Sequence, residues 1–211
     1  MQVLSSEVAK AVGMMKMKVV AFNGSPHPNG NTAQAIQVVL DAIHGFGIGT
    51  EVVQVGGKKL YGCMGCYQCR KIKNRHCVMN DDEVNGFIDK MLEADCIIFG
   101  SPVYSGNITA ALKALIERSG FVAKGNDFMF RRKVGVPVVV ATKAGGLFAH
   151  AAINLMFGTH QMVTIGSSYW SFVVGQEPGD IWKDEEGIKA LRTLGENVAW
   201  LLSKIKEEKR R

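Results

Sequence analysis

Four of the five cysteines of this 211-residue chain lie within fifteen residues, in the pattern C-x2-C-x2-C-x7-C. They are Cys63, Cys66, Cys69 and Cys77. Three thiols at three-residue spacing on an irregular loop can surround one face of a small inorganic cluster, and a fourth thiol can close the site. Four thiolates are the ligands that a 4Fe–4S cluster requires. The spacing therefore favours an iron–sulfur site.

Two other uses of these cysteines remain open. Structural zinc sites generally use two well-separated C-x2-C pairs, but His76 beside Cys77 allows a Cys3His zinc site. Free or redox-active thiols are the other alternative, whereas a reducing cytoplasm argues against disulfides. Cys77 is not followed by the proline typical of bacterial ferredoxins, so the motif is not a ferredoxin module. Cys96 lies in an apolar run, and we interpret it as a small buried hydrophobic residue.

The excess positive charge of the chain is concentrated around the cysteines. The formal net charge is +6, and six basic residues with no acid among them lie between residues 58 and 77: Lys58, Lys59, Arg70, Lys71, Lys73 and Arg75. Because this charge surrounds the cysteines and follows no helix face, it favours an anionic cluster or an acidic protein partner over nucleic acid. An alternative is that these side chains only keep a protruding loop soluble.

A second feature is the loop of small and polar residues at 23–32, which follows an apolar run and precedes a helical pattern. Free backbone N–H groups at a helix N-terminus bind anions, and hydroxyl and amide side chains add donors. The loop lacks both the G-x-G-x-x-G and the G-K-[ST] patterns, so we expect one monoester phosphate, as in FMN. The alternative is a polar turn capped by Asn31 or Thr32. His27 either donates to the phosphate or faces solvent.

Two more loops are expected beside this one, at residues 100–107 and 142–146. The first offers an aromatic ring, Tyr104, which either stacks on a flat ring system or forms part of the pocket wall. The second offers glycines that let backbone approach a ligand closely. Each loop alone reads as an ordinary turn, but the three together predict a cofactor pocket.

Short apolar runs that alternate with helical spacing position these loops. We predict strands at 18–22, 51–55, 96–100, 134–141 and 162–165, with helices between them and a last helix over about 188–205. This alternation predicts an α/β fold with a doubly wound, five-stranded parallel sheet of the flavodoxin-like order, and ligands at the carboxyl ends of the strands. We expect an N-terminal extension at 1–15 and one FMN-binding domain at 16–211, with a cysteine-rich insertion at 56–80 after the second strand. No run is long enough to span a bilayer and no secretory signal is evident, so we expect a cytoplasmic protein.

The three loops resemble those of the NADPH-dependent FMN reductase superfamily of flavodoxin-like proteins over about residues 17–166. That resemblance implies that Ser25, Asn31 and Thr32 hold the FMN phosphate. It also implies that residues of the other two loops line the flavin ring. These residues are Pro102, Val103, Tyr104, Ser105, Asn107, Thr142, Ala144, Gly145 and Gly146. The four-cysteine insertion is similar to that of the iron–sulfur flavoprotein family. This second resemblance implies FMN plus one 4Fe–4S cluster, a homodimer or homotetramer, and a ferredoxin as electron donor.

The sequence shows no acid–base pair, nucleophile or hydrolytic constellation, so we expect the chemistry to belong to the cofactors. We favour an electron-transfer flavoprotein in which single electrons from a ferredoxin reach FMN through the cluster and serve a two-electron acceptor. One alternative is an NAD(P)H-dependent FMN or quinone reductase whose cysteines bind zinc or are structural. Another is a thiol-based redox sensor or binding module. No contact with nucleic acid or membrane is expected.

Overall fold

A computed structural model describes residues 17–208 of the chain as one parallel sheet with helices on both faces. The predicted extension at 1–15 lies outside the described residues. The six strands found within 17–208 are β1 (Lys18–Asn23), β2 (Gly49–Gln54), β3 (Cys96–Pro102), β4 (Val134–Ala141), β5 (Val163–Thr164) and β6 (Phe172–Val174). Their order is β2-β1-β3-β4-β5, and β6 pairs with β4 as well. The doubly wound, flavodoxin-like order predicted from the strand–helix alternation is therefore confirmed.

The fifth position of the sheet is shared by two short strands. A single strand was expected at 162–165, but only Val163–Thr164 pairs there, beside the start of β4. Both residues are exposed, so no core-facing pattern holds a longer strand in place. The chain leaves the sheet and returns as β6, which pairs with Val139, Val140 and Ala141 at the carboxyl end of β4. This return brings the segment after β6 to the edge of the sheet where ligands bind.

Helices cover both faces of the sheet and complete two apolar cores. They are α1 (Asn31–His44), α2 (Gln68–Ile72), α3 (Val84–Glu93), α4 (Ala110–Gly125), α5 (Gly146–Thr159) and α6 (Glu185–Glu208), with a 3₁₀ turn at Asp180–Lys183. Because side chains alternate along a strand, Val19 and Ala21 face the core under α1 and α6. Val20 and Phe22 face the core under α3, α4 and α5. None of the helices within 17–208 is long and apolar enough to cross a membrane.

The cysteine-rich insertion follows β2 and contains a helix of its own, the five-residue α2, where no periodic structure was expected. The residues at both ends of α2, Tyr67 (φ 55°) and Lys73 (φ 53°), adopt the left-handed conformation. The insertion packs on α4 through α2, so Cys69, which lies on α2, also belongs to the core.

Candidate functional site

The loop between β1 and α1 is held in shape by hydrogen bonds before any ligand is considered. The Asn23 side chain accepts from Ser25 N at 3.1 Å and donates to Gln54 Oε1 at 2.8 Å. Gln54 in turn donates to the Ser25 carbonyl at 2.6 Å. The Ser25 hydroxyl accepts from His27 N at 3.1 Å, which tightens the following turn. The buried Ser25 is therefore fixed at the carboxyl end of β1.

The N-terminus of α1 is suited to an anion. The helix begins after Gly30 with no side-chain cap and with no acidic residue in its first turn. Its first N–H groups therefore have no side-chain acceptor, and the positive end of the helix dipole points the same way. Such an end binds phosphate readily, which meets the requirement of the FMN phosphate.

The second wall comes from the segment after β3. Tyr104 and Asn107 exchange backbone hydrogen bonds of 2.8 Å and 3.0 Å across a two-residue turn. Ser105 (φ 49°) and Gly106 (φ 77°) both have positive φ, which is the signature of a type I′ turn. The Tyr104 side chain is 48% exposed, so its ring is accessible at the rim.

These walls enclose a cavity of about 510 Å³, within the range usual for cofactor sites. None of its lining residues is Asp or Glu, which suits a phosphorylated ligand. Eight of the predicted cofactor-binding residues line it: Ser25, His27, Asn31, Thr32, Pro102, Val103, Tyr104 and Thr142. Five others do not lie in its lining and remain predictions: Ser105, Asn107, Ala144, Gly145 and Gly146.

One wall of this cavity was missed from the sequence. Gly175, Gln176 and Pro178, which follow β6, also line it. The amide of Asn31 donates to Glu177 O at 2.8 Å and accepts from Gly179 N at 2.7 Å, so it anchors this segment to the start of α1. Asn31 therefore also shapes the cavity wall. The available signal was the short apolar run of β6 followed by a glycine.

The structure brings the four cysteines of the insertion together around one small cavity. Cys63, Cys66, Cys69 and Cys77 line it with Arg118, Phe121 and Val122 of α4. Burial, reinforced by the neighbouring Cys77 and Cys63, raises the pKa of the Cys69 thiol. A bound metal or a nearby cation would favour the thiolate at such a place.

Side chains outside the insertion hold the cysteine backbone in position. The Asn85 amide accepts from Cys77 N at 2.8 Å and donates to Cys77 O at 2.9 Å. Asn126 donates to Cys69 O at 3.4 Å and accepts from Arg75 N at 2.9 Å. Both asparagines lie on or beside core helices, so the cysteine loop is anchored to the body of the domain.

The four thiols that line this cavity are the kind of donor that an iron–sulfur cluster takes. Within residues 17–208, no group of three or more His, Cys, Asp or Glu is close enough to hold one metal ion. His76, the candidate fourth zinc ligand, contacts Asp89 at 2.7 Å and does not line the cavity.

Three residues outside these two sites occupy structural positions. Cys96 is fully buried in β3, where burial raises the pKa of its thiol. The His160 ring is buried between the carbonyls of Met156 (2.7 Å) and Gly120 (3.0 Å). Trp182 donates to the Gln34 side chain at 2.8 Å and so fixes the 3₁₀ turn against α1.

Comparison with known proteins agrees with this geometry. Residues 17–177 match the family described as NADPH-dependent FMN reductase. An iron–sulfur flavoprotein of Methanocaldococcus jannaschii is 39% identical over 90% of this chain and its own whole length. The chain belongs to the iron–sulfur flavoproteins of this family. It is a flavin-dependent oxidoreductase with FMN as its flavin. A second iron–sulfur flavoprotein, from Archaeoglobus fulgidus, is 30% identical over 86% of this chain and 94% of that one.

Solved structures show the same fold at low sequence identity. A WrbA-like flavodoxin of Agrobacterium tumefaciens has a TM-score of 0.61 at 15% identity and covers 90% of this chain and 98% of its own. A flavodoxin from the domain Archaea has a TM-score of 0.58 at 13% identity, covering 89% of this chain and 99% of its own. These likenesses confirm the flavodoxin-like architecture of the iron–sulfur flavoprotein chain.

Proposed function

We propose that this iron–sulfur flavoprotein is an electron-transfer protein that holds a 4Fe–4S cluster through Cys63, Cys66, Cys69 and Cys77. The observation that carries the proposal is that all four thiols line one cavity in the chain that also builds the FMN pocket. A 4Fe–4S cluster exchanges one electron at a time, whereas FMN can hold one or two. The names of the relatives, iron–sulfur flavoproteins, support the same reading.

The electron donor we propose is a small acidic protein of the ferredoxin kind. Arg70, Lys71 and Arg75 are exposed on the cysteine insertion, between Cys69 and Cys77 in the sequence. A basic surface of this kind speeds the encounter with an acidic partner and orients it. The donor would then contact the protein where the cluster lies closest to solvent.

We also propose a homodimer or homotetramer in which the cluster of one subunit lies near the flavin of another. Leu147, Phe148 and Leu155 on α5 are 51%, 72% and 69% exposed, and α5 begins next to the flavin pocket. Apolar side chains exposed together on one helix are typical of a subunit interface. The protein would be cytoplasmic, where its thiols stay reduced.

Anaerobic purification followed by iron, sulfide, zinc and FMN analysis tests the cluster. About four iron and four sulfide with one FMN per chain would support it. FMN with zinc, or with no metal, would refute it and favour an NAD(P)H-dependent FMN or quinone reductase, the reading that the description of the matching family favours. Reduction by ferredoxin but only slowly by NAD(P)H would support the proposed donor, and the reverse would refute it.

A further inference from the structure

Arg118 is the largest fully buried side chain among the described residues, and it lies against the cysteine cavity. It projects from α4, where an arginine would ordinarily reach solvent. One terminal nitrogen pairs with the carboxylate of Asp82, itself buried. The other donates to the Met79 carbonyl at 2.6 Å. The guanidinium is thus fixed in place by two partners from the segment that follows Cys77.

The Nε–H of this guanidinium has no partner within residues 17–208. Arg118 Nε is the buried side-chain atom there for which no hydrogen bond is found. A buried donor left unpaired costs about 1–3 kcal/mol, and such groups in folded proteins generally have a functional explanation. The other residues that line the cavity are the four cysteines, Tyr67, and residues with apolar side chains. An anionic group bound by the thiols would supply the missing acceptor.

We propose that Arg118 is a tuning residue, whose Nε–H donates a hydrogen bond to a sulfur of the cluster and raises the reduction potential of that cluster. This inference rests on the proposed cluster and goes beyond it by naming the group that sets its potential. Hydrogen bonds to the sulfurs stabilise the more negative, reduced cluster and are a principal control of its potential. Because Asp82 neutralises the guanidinium, the effect is that of one directed hydrogen bond, not of an added charge.

Anaerobic redox titration of the wild type and of Arg118→Lys tests the proposal. Lysine keeps a positive charge for Asp82 but lacks the Nε–H that the planar guanidinium holds in a fixed direction. We expect the equilibrium constant for reduction of the cluster to fall about tenfold, which is about 59 mV for a one-electron couple. The potential of FMN and the iron content should stay unchanged. The matched control is Lys71→Gln, which removes an exposed charge from α2 of the cysteine insertion. This variant should shift the potential of the cluster less than Arg118→Lys.

An unchanged cluster potential in Arg118→Lys with full iron content would overturn the inference while leaving the proposed function intact. If the variant loses iron or fails to fold, the test is made instead on the wild type labelled with guanidino-¹⁵N arginine. Pulsed EPR of the reduced cluster should then detect magnetic coupling between the cluster and a ¹⁵N nucleus. The same coupling should persist in labelled Arg70→Lys. This control is needed because Arg70 lies over the ring of Tyr67, which lines the cavity. Absence of that coupling would overturn the inference. A wild type that holds no iron would refute the proposed function, and this inference with it.

Discussion

Replacing Asp82 with asparagine should destabilise the fold strongly, because it removes the counter-charge of a buried guanidinium. The side chains of Asp82 and Arg118 are 1% and 0% exposed. One carboxylate oxygen of Asp82 accepts from Arg118 and from Tyr61 N (3.2 Å), and the other accepts from Val84 N (3.2 Å). Asparagine has the same shape but one acceptor oxygen. Its amide nitrogen must therefore face either the guanidinium or the Val84 N–H.

The magnitude follows from the burial of this pair. Removing one partner of a buried ion pair costs about 3–5 kcal/mol, a large part of the roughly 5–15 kcal/mol that stabilises a typical domain. In a chain of this length, a loss of 1 kcal/mol lowers Tm by about 2–4 °C. Asp82→Asn should therefore lower Tm by about 6–20 °C.

Thermal unfolding under anaerobic conditions, followed by far-UV circular dichroism, measures this change. The matched control is Asp127→Asn, since Asp127 pairs with Lys73 at 3.1 Å and the two side chains are 84% and 52% exposed. An exposed pair contributes less than about 1 kcal/mol. The double variant Asp82→Asn/Arg118→Met removes both charges and should recover much of the loss. A fall in Tm for Asp82→Asn no larger than that of the control would refute the reasoning.

Three further predictions concern the flavin pocket and pH. Asn31→Ala breaks both hydrogen bonds to the 175–179 segment and should raise the FMN dissociation constant about tenfold, measured by flavin fluorescence titration. Gly24→Ala would place a Cβ 2.8 Å from the Gly100 carbonyl, so it should yield protein purified with little or no FMN, measured by flavin absorbance per chain. Burial lowers the pKa of His150 below 6.5, so protonation at this site favours the unfolded chain and stability should fall as pH drops below about 6.5. His150→Asn should flatten that fall in Tm between about pH 7 and pH 5.

The sequence predicted the elements whose apolar pattern is strong. The buried valines of Val134–Ala141 indicate a strand, and the helical spacing of α1 and α6 indicates helices. The sheet order follows from the alternation of strands and helices along the chain. The split of the fifth strand was not predictable in the same way. Phe172–Val174 has three residues, which is too short for a period to be recognised, and its place beside β4 depends on long-range pairing.

The functional residues also divide into those that a local pattern indicates and those that depend on long-range contacts. The cysteines and the phosphate loop were recognisable because their chemistry is carried by local spacing. Arg118 was not, because an arginine on a helix normally faces solvent, and its partner Asp82 lies 36 residues away. Only the folded chain shows that both side chains are buried and that Arg118 lies against the cysteine cavity.

Helix α4 connects the phosphate loop to the cysteine cavity. Thr109, its N-cap, donates its hydroxyl to Gly24 O at 2.8 Å, so the start of the helix is tied to the phosphate loop. Arg118 lies nine residues further on, against the cysteine cavity. At about 1.5 Å per residue, those nine residues span about 14 Å along the helix axis. Because a buried helix sets this separation, a substitution at Arg118 should change the surroundings of the thiols without displacing the phosphate loop. The flavin potential can therefore serve as an internal reference in the redox titration of the proposed cluster.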